Sequence, residues 1–324
     1  VTRGTLRRVP RVAVRFSLLL IACAIVLVAC GGSQSSTSTP TGPTLARIAG
    51  TPDASTIVAP NVVVLGGTDF PAGKTTRIPF QVAQKDGTIL HPDGGTAQLY
   101  LGATATSPAL GPFPVKQLSL KGTGISFESE DADTIMVAAE VPLPAAGAWT
   151  AVVTMKVAGK TVVATNQFSV LPKEVTPAVG TAAPTARTPT LEDVGGDGTK
   201  ISTARPLDLT LLGDSIPDLL AAHRPFVVAF ATPQFCTSRL CGPVVDITKN
   251  VQRALHGTKM AFVHAEIYTD LNPSKGVAPW VLAWALPTEP WVFVVNAQGL
   301  ITTKFEGSVT PAELEAAARA ALAS

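Results

Sequence analysis

Apolar and polar positions divide the chain into three regimes. Residues 16–29 form an apolar run interrupted only by Ser17. Between Pro60 and Leu171 the apolar residues come in short runs bounded by Gly, Pro and Asp, the pattern of strands and turns. This predicts strands over 62–65, 76–83, 97–101, 134–142, 149–157 and 161–170, with turns at Asp86-Gly87 and Ala158-Gly159-Lys160. From Leu207 onward helical periodicity alternates with continuous apolar strands, the signature of an α/β layer structure. Here the pattern predicts a helix over 214–223, a strand over 226–231, a helix over 242–255, a strand over 260–268 and a short helix over 278–286. A hairpin of 291–296 and 300–305, turning at Ala297-Gln298-Gly299, and a terminal helix over 311–322 complete it.

Composition adds the boundaries. The stretch to about Ala46 is rich in Ser, Thr, Gly and Pro and reads as a flexible tether, and the stretch from about Pro172 to Lys200 is rich in Thr, Pro, Ala and Gly and reads as an interdomain linker. The expected organisation is a leader over 1–29, a tether over 30–46, an all-β domain over 47–172, a linker over 173–204 and an α/β domain over 205–324. The leader carries Arg3, Arg7, Arg8, Arg11 and Arg15 with no acidic residue, and its apolar run is short for a membrane span. It ends in Leu27-Val28-Ala29-Cys30-Gly31, which resembles the lipobox of bacterial lipoproteins. That resemblance implies cleavage before Cys30, lipid on its thiol, and a protein held at the membrane outside the cytoplasm. Without the five leader arginines, 20 basic residues face 23 acidic ones, a net −3. A nucleic-acid partner would call for a basic patch on a folded domain, and none is expected.

The strand pattern of the first domain, with Phe80-Gln81-Val82 before Asp86-Gly87 and Ala146-Gly147-Ala148-Trp149-Thr150 leading a strand, resembles the immunoglobulin-like modules of bacterial surface proteins. An immunoglobulin-like sandwich is therefore expected, with Trp149 in its core. His91, Met136 and Met155 are too few and too scattered for a copper site, and the domain is assigned no catalytic residue.

The second domain resembles the thioredoxin superfamily in its order of elements and in three local matches: Phe226-Val227-Val228-Ala229-Phe230-Ala231 ahead of a cysteine, Thr288-Glu289-Pro290-Trp291 ahead of a strand, and Gly299 with Gly307 before the last helix. The resemblance implies a thioredoxin-like fold, with Pro290 as its cis-proline facing the cysteines. Glu289, just ahead of that proline, is by its own chemistry a candidate proton carrier near the thiols. Four cysteines are present. Cys23 lies in the leader and Cys30 is the lipidation candidate, which leaves Cys236 and Cys241 as a pair in an oxidising compartment. A loop that enters a helix N-terminus favours a thiolate over a thiol. Cys241-Gly242-Pro243 copies the thioredoxin motif with Val244 in place of its second cysteine, whereas 232–242 looks like the two-cysteine, one-helix peroxiredoxins, with Cys236 attacking and Cys241 resolving. The second assignment is favoured.

Residues five apart in one helix lie about 7.5 Å apart along its axis, beyond what a disulfide tolerates. At least one cysteine must therefore stand outside the helix if the two are to bond. Ala229 occupies the place of the aspartate that thioredoxins bury, and Thr232 stands four residues before Cys236 where peroxiredoxins have three. The sequence points to thiol–disulfide exchange with exported proteins or small thiols, without a cofactor or metal. The alternatives are a noncatalytic binding or scaffold protein with a structural disulfide, a peroxiredoxin-like peroxidase, and a copper carrier using the cysteines with one of His223, His256 and His264. His264 itself reads as a packed strand residue, and Trp280, Trp284 and Trp291 as core or groove lip.

Overall fold

A computed structural model describes residues 42–119, 134–236 and 240–324. The leader and Cys30 lie outside the described residues. Among those described, no helix is long and apolar enough to cross a membrane.

The first half is not an immunoglobulin-like sandwich. It is a closed barrel of seven strands with an eighth short strand on its flank, in the order β1 (Asn61–Leu65), β8 (Lys160–Val170), β7 (Gly147–Val157), β4 (Thr96–Gly102), β5 (Leu110–Ser119), β6 (Thr134–Leu143), β2 (Lys74–Gln84) and β3 (Ile89–Leu90). Closure comes from β1, which pairs antiparallel with β2 over five residues and parallel with β8 at Asn61 and Val62. A sandwich leaves its two sheets unbonded at the edges, whereas a barrel removes them. Alternation along a strand reports only which side chains face inward, so the parallel contact that decides between the two architectures leaves no mark on the sequence. β5 escaped the strand pattern because Pro112 and Pro114 interrupt it, and prolines argue against a central strand.

The alternating strands send Val63, Ile78, Phe80, Leu99, Val115, Ala138, Val153 and Trp149 into one core. Trp149 is buried and its indole N–H donates to the Ala145 carbonyl. Met136 and Met155 are core residues, and His91 is an exposed residue whose ring meets the Gln117 amide. The turn between β7 and β8 places Ala158 and Gly159 at positive φ, the geometry of a two-residue hairpin, and the Asp93 carboxylate accepts from both of their N–H groups. Leu45 and Ala46, which composition places in the tether, are fully buried in the short helix α1 (Leu45–Ile48), pinned to the carbonyls of Ser107 and Ala105.

The second half carries a four-stranded mixed sheet in the order β10 (Ala261–Ala265), β9 (Phe226–Phe230), β11 (Trp291–Val295) and β12 (Ile301–Glu306). Its helices are α2 (Ile216–Ala221), α3 (Cys241–Ala254), α4 (Pro279–Ala283) and α5 (Pro311–Ala323). Helices α3 and α5 cover one face over Val227, Ala229, Phe262, Val292 and Val294. The other face buries Phe230, Trp284, Trp291 and Phe293, their rings 4.7 to 6.1 Å apart.

This is not the standard thioredoxin fold standing as a separate domain. Helix α4 has only five residues, and the chain ahead of α2 runs through short 3-10 turns. The sheet is completed by parts from elsewhere. Residues 180–183 bond along the start of β12, and Ile201 to Ala204 are buried, so the segment that composition marks as a linker is packed structure.

The barrel and the second sheet meet through charge. Glu306, at the end of β12, accepts from the N–H groups of Thr68 and Asp69 at 2.8 and 2.9 Å and from the hydroxyls of Thr68 and Thr288 at 3.0 and 2.6 Å. Arg77 of β2 forms a two-pronged pair with Glu313, which also closes the capping box of α5. Lys304 joins Asp69, Glu174 and Thr176. Burial acts to raise the Glu174 carboxyl, but its bonds to Lys304 and Lys74 outweigh it and hold the group below the usual carboxylate range. The contact is close at Gly307, where a side chain would put Cβ 2.1 Å from the Gly66 carbonyl oxygen.

Replacing Glu306 with Ala should strand two N–H groups and two hydroxyls, lowering stability in urea by about 1–3 kcal/mol and raising amide exchange at Thr68 and Asp69. Because the Glu174 carboxyl is depressed, its contribution is present above the ordinary carboxylate pKa and is lost as pH falls through the depressed one. A Glu174→Gln variant should therefore show less acid destabilisation than the parent in melts at falling pH.

Candidate functional site

Strand β9 is apolar at every position and ends in a turn, Thr232 to Cys236, before α3 begins. The turn is pinned twice: Phe235 N–H bonds to the Thr232 carbonyl, and Gln234 N–H bonds to the Thr203 hydroxyl at 3.2 Å. Helix α3 starts at Cys241, so Cys236 lies outside it, and the spatial requirement for bonding the two is met. Leu240 at the N-cap has no side chain able to accept a hydrogen bond. The sulfur of Cys236 does so instead, receiving the Cys241 N–H at 3.3 Å. A free N–H at a helix start is one of the groups that a cap must satisfy, and an anionic sulfur is a good acceptor for it.

The two thiols are unbonded and differently exposed, Cys236 half-buried and Cys241 fully buried. Burial pushes the Cys241 thiol far up, the hydrogen bond to Cys236 and that sulfur's charge push the same way, and the Thr232 N–H acts in the opposite sense. Cys241 is therefore kept as a neutral thiol beside a half-exposed sulfur held at a helix N-terminus.

Glu289 lies within electrostatic reach of both cysteines, and Pro290 follows it. The Glu289–Pro290 peptide is cis and Pro290 is buried. Glu289 is half-buried, and burial first, then the charge of Cys236, hold its carboxyl above the usual range. The Tyr268 hydroxyl is raised by burial and then by Glu289 and both cysteines, which places it in the same cluster, and its ring meets Phe235 edge-on at 6.1 Å. Charge interactions thus link Cys236, Cys241, Glu289 and Tyr268, with the cis-proline next to Glu289 in the chain.

Two further polar residues escaped the sequence reading as a pair. His264 and Glu266 are both buried, His264 in β10 and Glu266 just past its end. His264 bonds to the Ala231 carbonyl at 3.0 Å through Nε2 and to the Ser202 hydroxyl at 3.2 Å through Nδ1. Burial lowers its pKa against the opposing pull of Glu266, 4.0 Å away, and of the Ala231 carbonyl, which keeps the imidazole neutral. Glu266 Oε1 accepts the N–H and hydroxyl of Thr203, the hydroxyl at 2.6 Å, while Oε2 has no partner among the described residues. Ala229 pairs with His264 across the sheet, and Glu266 follows the end of that neighbouring strand. The pair's signal was two polar residues at i and i+2 in an otherwise apolar run.

His223 and His256 stand apart from the cysteines: His223 meets the Ala297 carbonyl, and His256 follows the end of α3. Among the described residues, no group of three or more His, Cys, Asp or Glu side chains is placed to hold a metal ion.

No family model and no curated protein matches the chain. Among solved structures, it is similar to a thiol:disulfide interchange protein of the thioredoxin family from Chlorobium tepidum TLS, at 16% identity. That match covers 45% of this chain and 99% of the other, with a TM-score of 0.31. The functional reading rests on the geometry above.

In the reduced protein, iodoacetamide should label Cys236 between pH 6 and 9 and leave Cys241 unmodified until the chain unfolds, as read by peptide mapping. An ionised Glu289 opposes charge on Cys236, so Glu289→Gln should speed that labelling several-fold near neutral pH; an unchanged rate would show that the two do not interact.

Proposed function

We propose that the chain carries out thiol–disulfide exchange, with Cys236 as the attacking cysteine and Cys241 as the resolving one. The carrying observation is the Cys241 N–H donated to the Cys236 sulfur at the first turn of α3. The thiolate of Cys236 attacks one sulfur of a substrate disulfide, forming a mixed disulfide and releasing the other sulfur as a thiolate, which takes a proton. Cys241 then loses its proton and attacks the Cys236 sulfur. The substrate leaves as a dithiol, and the two electrons it gains leave Cys236 and Cys241 bonded. Run backward, the same steps oxidise a substrate. Glu289, with its raised carboxyl at the edge of the pair, takes up the proton that Cys241 releases.

The Leu27 to Gly31 segment supports placing this activity at the membrane, outside the cytoplasm, through lipid on Cys30. That placement is part of the proposal.

Mixed-disulfide trapping in Cys241→Ser and Cys236→Ser variants tests the assignment. The Cys241→Ser protein should accumulate a mixed disulfide with a model disulfide substrate, while the Cys236→Ser protein should not. Capture by neither, together with a reduction potential of the pair below about −300 mV, would indicate a structural bridge instead.

A further inference from the structure

At the edge of the sulfur site lies a cleft of about 290 Å³, of whose lining the chemistry above uses only Glu289. One wall belongs to the sulfur site: Leu240, which precedes Cys241, and Glu289. The other wall belongs to the barrel: Val64 and Leu65 of β1 and Phe80 of β2, with Glu306 where the two halves join. The described lining carries two carboxylates, Glu289 and Glu306, and no lysine, arginine or histidine. Val64 is 46% exposed, on the outer surface of the barrel.

We infer that this cleft seats a polypeptide disulfide substrate, an extended segment that lays an apolar side chain against Val64 and Leu65 and a basic residue near Glu289, with its cysteine at Cys236. The inference rests on the exchange reading and narrows its substrate class. Charge complementarity selects the occupant: a cleft whose described lining holds two carboxylates and no cation attracts a basic segment and repels an acidic small thiol such as glutathione. Reach selects it too. The lining runs from the start of α3 to a strand of the barrel, and a chain with residues on both sides of its cysteine touches both walls where a small disulfide at Cys236 touches one. The barrel thereby acquires a role in choosing substrates.

The test uses the full chain as Cys241→Ser, following mixed-disulfide formation by mass spectrometry with four probes. These are a peptide disulfide whose cysteine is flanked by Leu and Lys, the same peptide with Asp for Lys, oxidised glutathione, and the small neutral hydroxyethyl disulfide. The Leu/Lys peptide should react at least ten-fold faster than the Asp peptide at low salt, with the gap shrinking as salt is raised. Adding Val64→Arg should slow the Leu/Lys peptide at least five-fold, and adding Val64→Asp should speed it, with hydroxyethyl disulfide unaffected by either. Equal peptide rates, indifference to both Val64 variants, or oxidised glutathione as the fastest probe would overturn the cleft as a polypeptide site while leaving exchange intact. Failure of every probe, hydroxyethyl disulfide included, would overturn the exchange reading and the cleft inference with it.

Discussion

The Glu306 carboxylate is the interaction on which the arrangement turns. It sits at the end of an edge strand and answers two backbone N–H groups of the barrel turn at Thr68 and Asp69. It also accepts the hydroxyl of Thr288, which in turn accepts the Trp291 indole N–H. One side chain thus ties the barrel to the segment that carries Glu289 and Pro290. Hydrogen bonds to a charged group are among the stronger ones, and this carboxylate makes four. The pair of Arg77 with Glu313 and the Lys304 cluster hold the same interface on its other side.

The sulfur site depends on a second economy of polar groups. Helix α3 begins with a residue that cannot cap it, and a cysteine five positions earlier does so. The same bond that completes the helix start stabilises negative charge on Cys236. Burial of Cys241 acts in the opposite sense and holds that thiol neutral. Beneath them, the neutral His264 and the half-satisfied Glu266 fasten the end of β9 to residues 202 and 203.

Such a site needs the barrel and the segment ahead of α2. Thr203 holds Glu266 and also receives Gln234 N–H from the cysteine turn, so a stretch that looks like spacer in composition is part of the support for the reactive residues. Serine and threonine are common in loose linkers, but each also brings a hydroxyl that can satisfy a buried carboxylate. Composition counts the residues and not their partners.

Much of the local structure was legible. The β9 and β10 strands, the hairpin of β11 and β12, the terminal helix, and most barrel strands announce themselves through periodicity, because burial of one face or both is written residue by residue. The need for one of Cys236 and Cys241 to lie outside a helix, if the two are to bond, follows from spacing and covalent geometry. What the tertiary structure alone decided is which elements bond to which. Two residues of parallel pairing between β1 and β8 turn an expected sandwich into a barrel. Glycine at 307 and a carboxylate at 306 bring that barrel against the second sheet, and Glu266 holds Thr203, which in turn receives the Gln234 N–H of the cysteine turn. Each of these is a contact between residues far apart in the chain, and such contacts depend on partners that no local pattern names.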